Sequence, residues 1–253
     1  MEGIVIRRVI SKPRRDRAAR ALTPGQFQNN LIPPHHFRHR LLMNKDLKRA
    51  LDIVGAIVGL ILFSPIFLLT AVLIKATSRG PILFKQTRVG YGGKAFTFLK
   101  FRSMFHNCDD RLHQEYVKKL INGKNGELNK GCHDRPLYKI EDDPRITPIG
   151  KLLRKASIDE LPQLWNVLHG DMSLVGPRPP ISYELEEYKK WHFRRILEVK
   201  PGITGLWQVS GRNRTTFNEM VRLDLFYAKN WSLALDIKIL FKTIRILLIP
   251  DGV

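Results

Sequence analysis

Asp159 and Glu160 stand side by side in Ser157-Ile-Asp-Glu, and adjacent carboxylates are a pairing that can do phosphorus chemistry. The four residues fit the S-x-x-E capping box, in which a serine oxygen and a glutamate satisfy the unpaired N–H groups of a helix start. The pattern predicts a helix running from Asp159 to about Gly170, with Pro162 in its first turn, where a missing N–H does no harm. Carboxylates placed there feel the positive end of the helix dipole and stay ionised. An ionised aspartate can attack phosphorus to give an aspartyl-phosphate type of intermediate, and a second carboxylate beside it can handle protons. The same two residues also serve as nothing more than a helix cap.

Cations gather nearby along the chain. Arg145 and Arg154 precede the pair, and Arg178 follows in Val-Gly-Pro-Arg-Pro-Pro, residues 175–180. Guanidinium groups match phosphate oxygens in a fork geometry, and Pro177 and Pro179 stiffen the backbone that presents Arg178. Each arginine taken singly is equally an ordinary surface charge.

Several elements must position these groups. Residues 142–157 open a helix containing Leu152, Leu153 and Arg154. Upstream, the branched and aromatic runs 82–89 and 94–104 flank Gly-Tyr-Gly-Gly and read as a β-hairpin. Residues 106–142 are polar, with a helical stretch at 108–121 and a Gly- and Asn-rich piece, 122–131, that reads as a mobile insertion. Near the C-terminus, residues 231–250 place Lys238, Lys242 and Arg245 at helical spacing among Leu and Ile, a basic amphipathic helix. Such a helix can lie at a lipid interface or pack on the protein core with its basic side outward.

The 22 residues from Ile53 to Ile74 carry no charge. As a helix they extend roughly 33 Å, about the thickness of a hydrocarbon core. Pro65 breaks that helix near its middle, and the Ser64 hydroxyl can bond a carbonyl of the preceding turn. Lys45, Lys48 and Arg49 precede the run, and Lys75, Arg79, Lys85 and Arg88 follow it. A helix hairpin that enters and leaves one leaflet keeps both basic flanks on the cytoplasmic side, whereas a kinked spanning helix puts one of them across the membrane.

The 253 residues suffice for one large domain or two small ones. Against 23 Asp and Glu there are 43 Lys and Arg, a net charge of +20 that points to nucleic acid, an anionic membrane surface or phosphorylated substrates. Cys108 and Cys132 fall outside any CxxC spacing, so neither a zinc site nor a disulfide framework is expected, and Gly131-Cys-His-Asp134 has too few ligands for a metal. The apolar run lies too far from the N-terminus for an ordinary secretory signal. Residues 1–49 hold twelve Lys and Arg against three acids, so 1–44 reads as a flexible basic arm that anionic lipid attracts by about 1 kcal/mol per cation. A membrane-tethered basic binding module without catalysis is the alternative from another class. No recognised nucleic-acid motif supports it, and no nucleic acid partner is expected.

Taken together, Lys48–Leu69, Gly80–Met104, Asp142–Pro180 and Lys200–Arg212 resemble the bacterial sugar transferases, or monotopic phosphoglycosyl transferases, which load a sugar phosphate onto a polyprenyl phosphate. The resemblance covers about residues 45–250. It implies an α+β, mainly helical, monotopic membrane protein with a re-entrant helix hairpin at 50–76 bent at Ser64-Pro65, a small β-hairpin, amphipathic interfacial helices, and a catalytic part, 80–253, on the cytoplasmic face of the bacterial inner membrane. It also implies that Asp159 attacks the phosphorus nearest the sugar of a UDP-sugar and expels UMP, that the lipid phosphate then takes the phosphosugar, and that Glu160 handles protons. Mg²⁺ is the implied cofactor, with Asp159 as its contact. Arg154 and Arg178 match active-site positions of the family, and Arg145 matches more weakly. Lys100 and Arg102, close to the hairpin in sequence, are expected near the lipid phosphate. The segment 205–214 and the long C-terminal part resemble the hexose-1-phosphate members that serve exopolysaccharide, capsule or O-antigen synthesis, so UDP-galactose or UDP-glucose is the expected donor. Unlike the largest members, this sequence shows no multi-helix membrane region before residue 45.

Overall fold

The computed structural model describes residues 45–248, apart from 133–135, 139 and 141–142. The basic arm, the His133 and Asp134 of the supposed metal motif, and residues 249–253 lie outside the described residues.

The apolar run forms two helices, α1 (Lys45–Leu62) and α2 (Ser64–Thr77), whose directions differ by 59°. Pro65 falls in the first turn of α2, where its lack of an N–H costs nothing, and the Ser64 hydroxyl donates to the Ile61 carbonyl at 2.8 Å, the repair anticipated from sequence. A bend of this size makes a wide V whose arms pack on the protein rather than on each other. Ala56, Thr70 and Ile74 are buried on the inner side, while Val54, Val58, Ile61, Leu62, Leu68 and Leu69 are exposed on the outer side. Among the described residues, no single helix is long and apolar enough to cross a membrane.

Strands β1 (Leu83–Val89) and β2 (Ala95–Phe101) form the expected antiparallel hairpin, with Leu83 opposite Phe101 and Val89 opposite Ala95. Gly92 and Gly93 take φ of 68° and 79° at its turn, a region glycine enters without strain. Strand alternation puts Arg88, Phe96, Phe98 and Lys100 on one face, and buried Phe98 holds that face against the core.

Helix α3 (Arg111–Ile121) starts three residues later than the sequence pattern implied and packs through Ile121. The glycine-rich piece expected as a mobile insertion carries a short turn of helix, Asn125–Leu128, with Leu128 buried. Helix α4 (Pro148–Lys155) has Thr147 as its N-cap, whose hydroxyl accepts from Gly150 N at 3.0 Å.

The capping box expected at Ser157 is absent. Ser157 has φ 55° and makes no side-chain cap, residues Ile158–Glu160 form one 3-10 turn, and helix α5 (Gln163–His169) begins only after Pro162. The reason is a competition for Glu160. Its carboxylate bonds to Lys100 and Arg178 instead of reaching back to the Ser157 N–H.

A two-stranded parallel pair, β3 (Ser173–Val175) and β4 (Gly202–Thr204), follows. Between them run 3-10 turns at Ser182–Glu187 and Lys190–Phe193 and a short helix, Arg194–Leu197. The chain ends in α6 (Leu206–Ser210), α7 (Phe217–Lys229) and α8 (Leu233–Leu248). Asp236 of α8 is buried and receives hydrogen bonds from Lys48 Nζ at 2.7 Å, Tyr227 Oη at 2.7 Å and Trp231 Nε1 at 3.1 Å, which ties α8 to the start of α1. Beyond that anchor α8 packs by one side through Ile239, while Ile237, Phe241, Ile244 and Leu248 are exposed together with Lys238, Lys242 and Arg245. The core-packed arrangement therefore accounts for one side only and leaves a mixed apolar and basic side outward.

Candidate active site

Three backbone segments converge on the Asp159-Glu160 turn. Strand β2 supplies Lys100, whose Nζ lies 2.8 Å from Glu160 Oε1 and 3.5 Å from Asp159 Oδ2. The loop after β3 supplies Arg178, whose Nη1 donates to the same Glu160 oxygen at 3.0 Å. The last turn of α4 supplies Arg154, whose Nε donates to Ser103 Oγ at 2.9 Å and whose charge acts on Asp159. Asp159 is buried, with 5% of its surface exposed.

Backbone packing fixes the arginine loop. A Cβ on Gly176 would collide with the Lys200 carbonyl, so only glycine lets residues 175–178 run this close to β4. The Pro177 carbonyl accepts from Gly202 N at 2.9 Å, and the Pro179 carbonyl accepts from Arg88 Nη1 at 2.7 Å. From below, Arg195 donates through Nη2 to the Arg178 carbonyl at 3.0 Å and is itself held by the buried Asp224 at 2.7 Å.

The two carboxylates differ electrostatically. Burial pushes both upward, but for Glu160 the Lys100 and Arg178 charges and hydrogen bonds outweigh burial and hold it well below the usual carboxylate range. For Asp159 burial wins over Lys100, helped by the neighbouring Glu160 charge, and its carboxyl is raised. Lys100 is lowered, chiefly by burial, against the pull of Glu160. The site therefore contains one locked anion and one carboxylate with a single long contact to an ammonium, which is the arrangement a nucleophile needs. Held in the ionised form, Glu160 has no proton to give at neutral pH and is a weak base.

The structure gathers Asp159, Glu160, Lys100, Arg154 and Arg178 into one site. It places two other expected residues elsewhere. Arg102 is buried and donates to the Ser78 carbonyl and hydroxyl, both at 2.8 Å, and to the Arg79 carbonyl, closing the end of α2. Arg145 pairs with Asp143 at 2.7 Å and donates to the Asp109 carbonyl at 2.6 Å. Sequence reasoning missed Arg88, Ser103 and Arg195. Only Arg88 had a signal: even-numbered positions of β1 and β2 share a face, so Arg88 falls on the side of Lys100.

A magnesium ion usually takes one or two carboxylates, with substrate phosphates and water completing its shell. Among the described residues no group of three Asp, Glu, His or Cys could form an all-protein cage. Asp159, with no side-chain hydrogen bond among the described residues other than the long one to Lys100, fits a site that a bound diphosphate would complete.

The sequence profile of the bacterial sugar transferase family matches residues 43–250. The galactosyl transferase CpsE of Streptococcus agalactiae is 48% identical over 208 residues, covering 81% of this chain and 43% of that protein. The exopolysaccharide production protein ExoY of Sinorhizobium fredii is 43% identical over 207 residues, covering 81% of this chain and 87% of that protein. The undecaprenyl-phosphate galactose phosphotransferase of Salmonella typhimurium is 47% identical over 210 residues, covering 83% of this chain and 42% of that protein. The chain thus spans less than half the length of the first and third of these relatives and most of the second.

Proposed function

The chain belongs to the bacterial sugar transferase family, and on that premise we propose that it transfers a hexose 1-phosphate from a UDP-sugar to undecaprenyl phosphate and releases UMP. The observation that carries the reading is the contrast between Asp159, buried and little bonded, and Glu160, clamped by Lys100 and Arg178.

A carboxylate oxygen of Asp159 attacks the phosphorus nearest the sugar. The bond from that phosphorus to the bridging oxygen breaks, and its electron pair leaves with UMP. The resulting acyl phosphate is attacked in turn by an oxygen of the lipid phosphate. The bond to Asp159 then breaks, which regenerates the carboxylate and yields a polyprenyl diphosphate sugar. Lys100, Arg154 and Arg178 face charge that the donor brings and that shifts toward the leaving nucleotide; preorganised cations in a water-poor site are a large source of rate for such transfers. Glu160 holds Lys100 and Arg178 in place, and the lipid phosphate attacks as the dianion, having left any proton to solvent. Magnesium, where bound, would be held by Asp159 with the donor's diphosphate and would supply charge neutralisation there.

The acceptor lives in a membrane, and the V of α1 and α2 with its exposed apolar outer side supports a re-entrant insertion from the cytoplasmic face of the bacterial inner membrane. The exposed side of α8, with Phe241 and Ile244 among Lys238, Lys242 and Arg245, supports contact with anionic lipid. Three relatives carry galactose or galactosyl in their names and a fourth, from Aeromonas hydrophila, N-acetylgalactosamine, so UDP-galactose is the first donor to test and exopolysaccharide, capsule or O-antigen synthesis the setting. The test is a donor screen reporting UMP from UDP-galactose, UDP-glucose and UDP-N-acetylgalactosamine with undecaprenyl phosphate and Mg²⁺. Repeated UMP release that needs the lipid is the expected result, and no release with any donor would overturn the reading.

A further inference from the structure

We infer that the nucleoside end of the donor binds in a cavity beyond Arg178 that neither carboxylate lines. The inference rests on the donor class proposed above and adds where its two ends go. The cavity, about 210 Å³, opens between α3, the 182–187 turn and the 207–220 segment, and Arg178 forms part of its wall.

In-line displacement at phosphorus puts the leaving group on the side away from the attacking oxygen. With Asp159 attacking, the departing nucleotide must point away from Asp159. A cavity that touches Arg178 but neither Asp159 nor Glu160 meets that requirement. Its chemistry suits a pyrimidine nucleoside. The rings of Tyr116, Tyr138, Trp207 and Phe217 line it, and Trp207 is fixed by an Nε1 hydrogen bond to Thr215 Oγ1 at 2.7 Å. Tyr116 Oη and Arg195 Nε belong to residues of the same wall and are buried without a hydrogen-bond partner among the described residues. Uracil presents two carbonyl acceptors and an imide N–H, which such groups can satisfy. A second cavity, about 120 Å³ beside Glu160, is walled by Ile203, Val209, Ile246 and Leu247 and offers no aromatic ring to a base.

Stacking on an aromatic side chain is commonly lost with a cost of tenfold or more in affinity. Trp207→Ala should therefore raise KM for the UDP-sugar and the inhibition constant of UMP by about tenfold each, with KM for polyprenyl phosphate as in the wild type. Tyr116→Phe keeps the ring and removes only the hydroxyl, and should raise both nucleotide constants about threefold. On the unaltered full chain, 5-iodo-UMP under ultraviolet light should label peptides from 113–120, 138 or 207–220, which keeps the inference testable if Trp207→Ala does not fold. Unchanged nucleotide constants in folded variants, a rise confined to polyprenyl phosphate, or labelling confined to α1, α2 or α8 would overturn it. UMP release by the wild type in the same assay separates the two failures: release with unaffected variants sinks the cavity assignment alone, whereas no release sinks the transferase reading.

Discussion

Lys100 Nζ bridges the two carboxylates, 2.8 Å from Glu160 Oε1 and 3.5 Å from Asp159 Oδ2. A strand residue thus sets the charge of a turn some sixty positions away. Lys100→Met keeps the length and apolar stem and removes the ammonium. We expect kcat/KM to fall by about 100-fold or more, the scale of losing one preorganised electrostatic contact. Stability should fall by less than the ~3–5 kcal/mol of a fully orphaned buried charge, because Arg178 stays on Glu160. Turnover within a few-fold of wild type would show that the ammonium is dispensable.

The same contacts fix a pH profile. The proposed transfer needs Asp159 ionised, and its carboxyl is raised by burial, so the acidic limb should lie above the 3.8 of an ordinary aspartate. It also needs Lys100 protonated, and burial lowers that group, so the basic limb should lie below 10.5. The limbs belong to the coupled cluster, not to single residues. In Lys100→Met the acidic limb should move further up, since the ammonium that favours the Asp159 anion is gone. For stability the sign is opposite in the two carboxylates. Glu160 is lowered on folding, so its contribution is present above the unfolded value of 4.5 and is lost as pH falls through the folded one. Asp159 is raised, so its ionisation weakens the fold as pH rises through its folded value. kcat/KM and denaturation midpoints measured across pH read both effects.

Asp159→Asn tests nucleophile and burial together. The amide cannot attack phosphorus, so UMP release should vanish. It also removes a charge that burial disfavours, so Tm should equal or exceed that of the wild type. Wild-type enzyme quenched with donor but no lipid should carry the added mass of a hexose phosphate on the peptide containing residue 159, and the variant should not. A folded Asp159→Asn protein that turns over normally would end the covalent assignment.

How much of this was readable from the chain depends on the range of each interaction. The β-hairpin showed in its alternation around Gly-Tyr-Gly-Gly, and the break between α1 and α2 showed in Ser64-Pro65, because both are local. The carboxylate pair and Arg178 were visible as types in a pattern. The Ser157 cap was misread because a distant lysine and arginine claimed Glu160, and no local rule registers that. Arg102 looked like Lys100's companion in sequence, since residues two apart share a face of a strand, but β2 ends at Phe101 and the Arg102 guanidinium turns to the end of α2 instead. Arg195 gave no signal, since its task is to hold a backbone carbonyl that only the folded chain brings near.

The bend between α1 and α2 leads to a topological prediction. Ser64 Oγ takes up the Ile61 carbonyl and Pro65 starts the second helix, so the two halves leave the bend 59° apart. Neither half is long and apolar enough to cross alone. With Cys108 and Cys132 replaced by serine, single cysteines at Leu47 and Ser78 should both react with an impermeant thiol reagent from the cytoplasmic side of sealed inverted vesicles. Replacing Ser64 and Pro65 by leucine restores an uninterrupted apolar helix long enough to span, and the two positions should then lie on opposite sides, with only one of them reactive. Opposite accessibility already in the unaltered bend would mean a kinked spanning helix and would exclude re-entry. Same-side accessibility in both proteins would mean that the packing of Ala56 and Ile74 against the protein, and not the broken backbone, holds the V in shape.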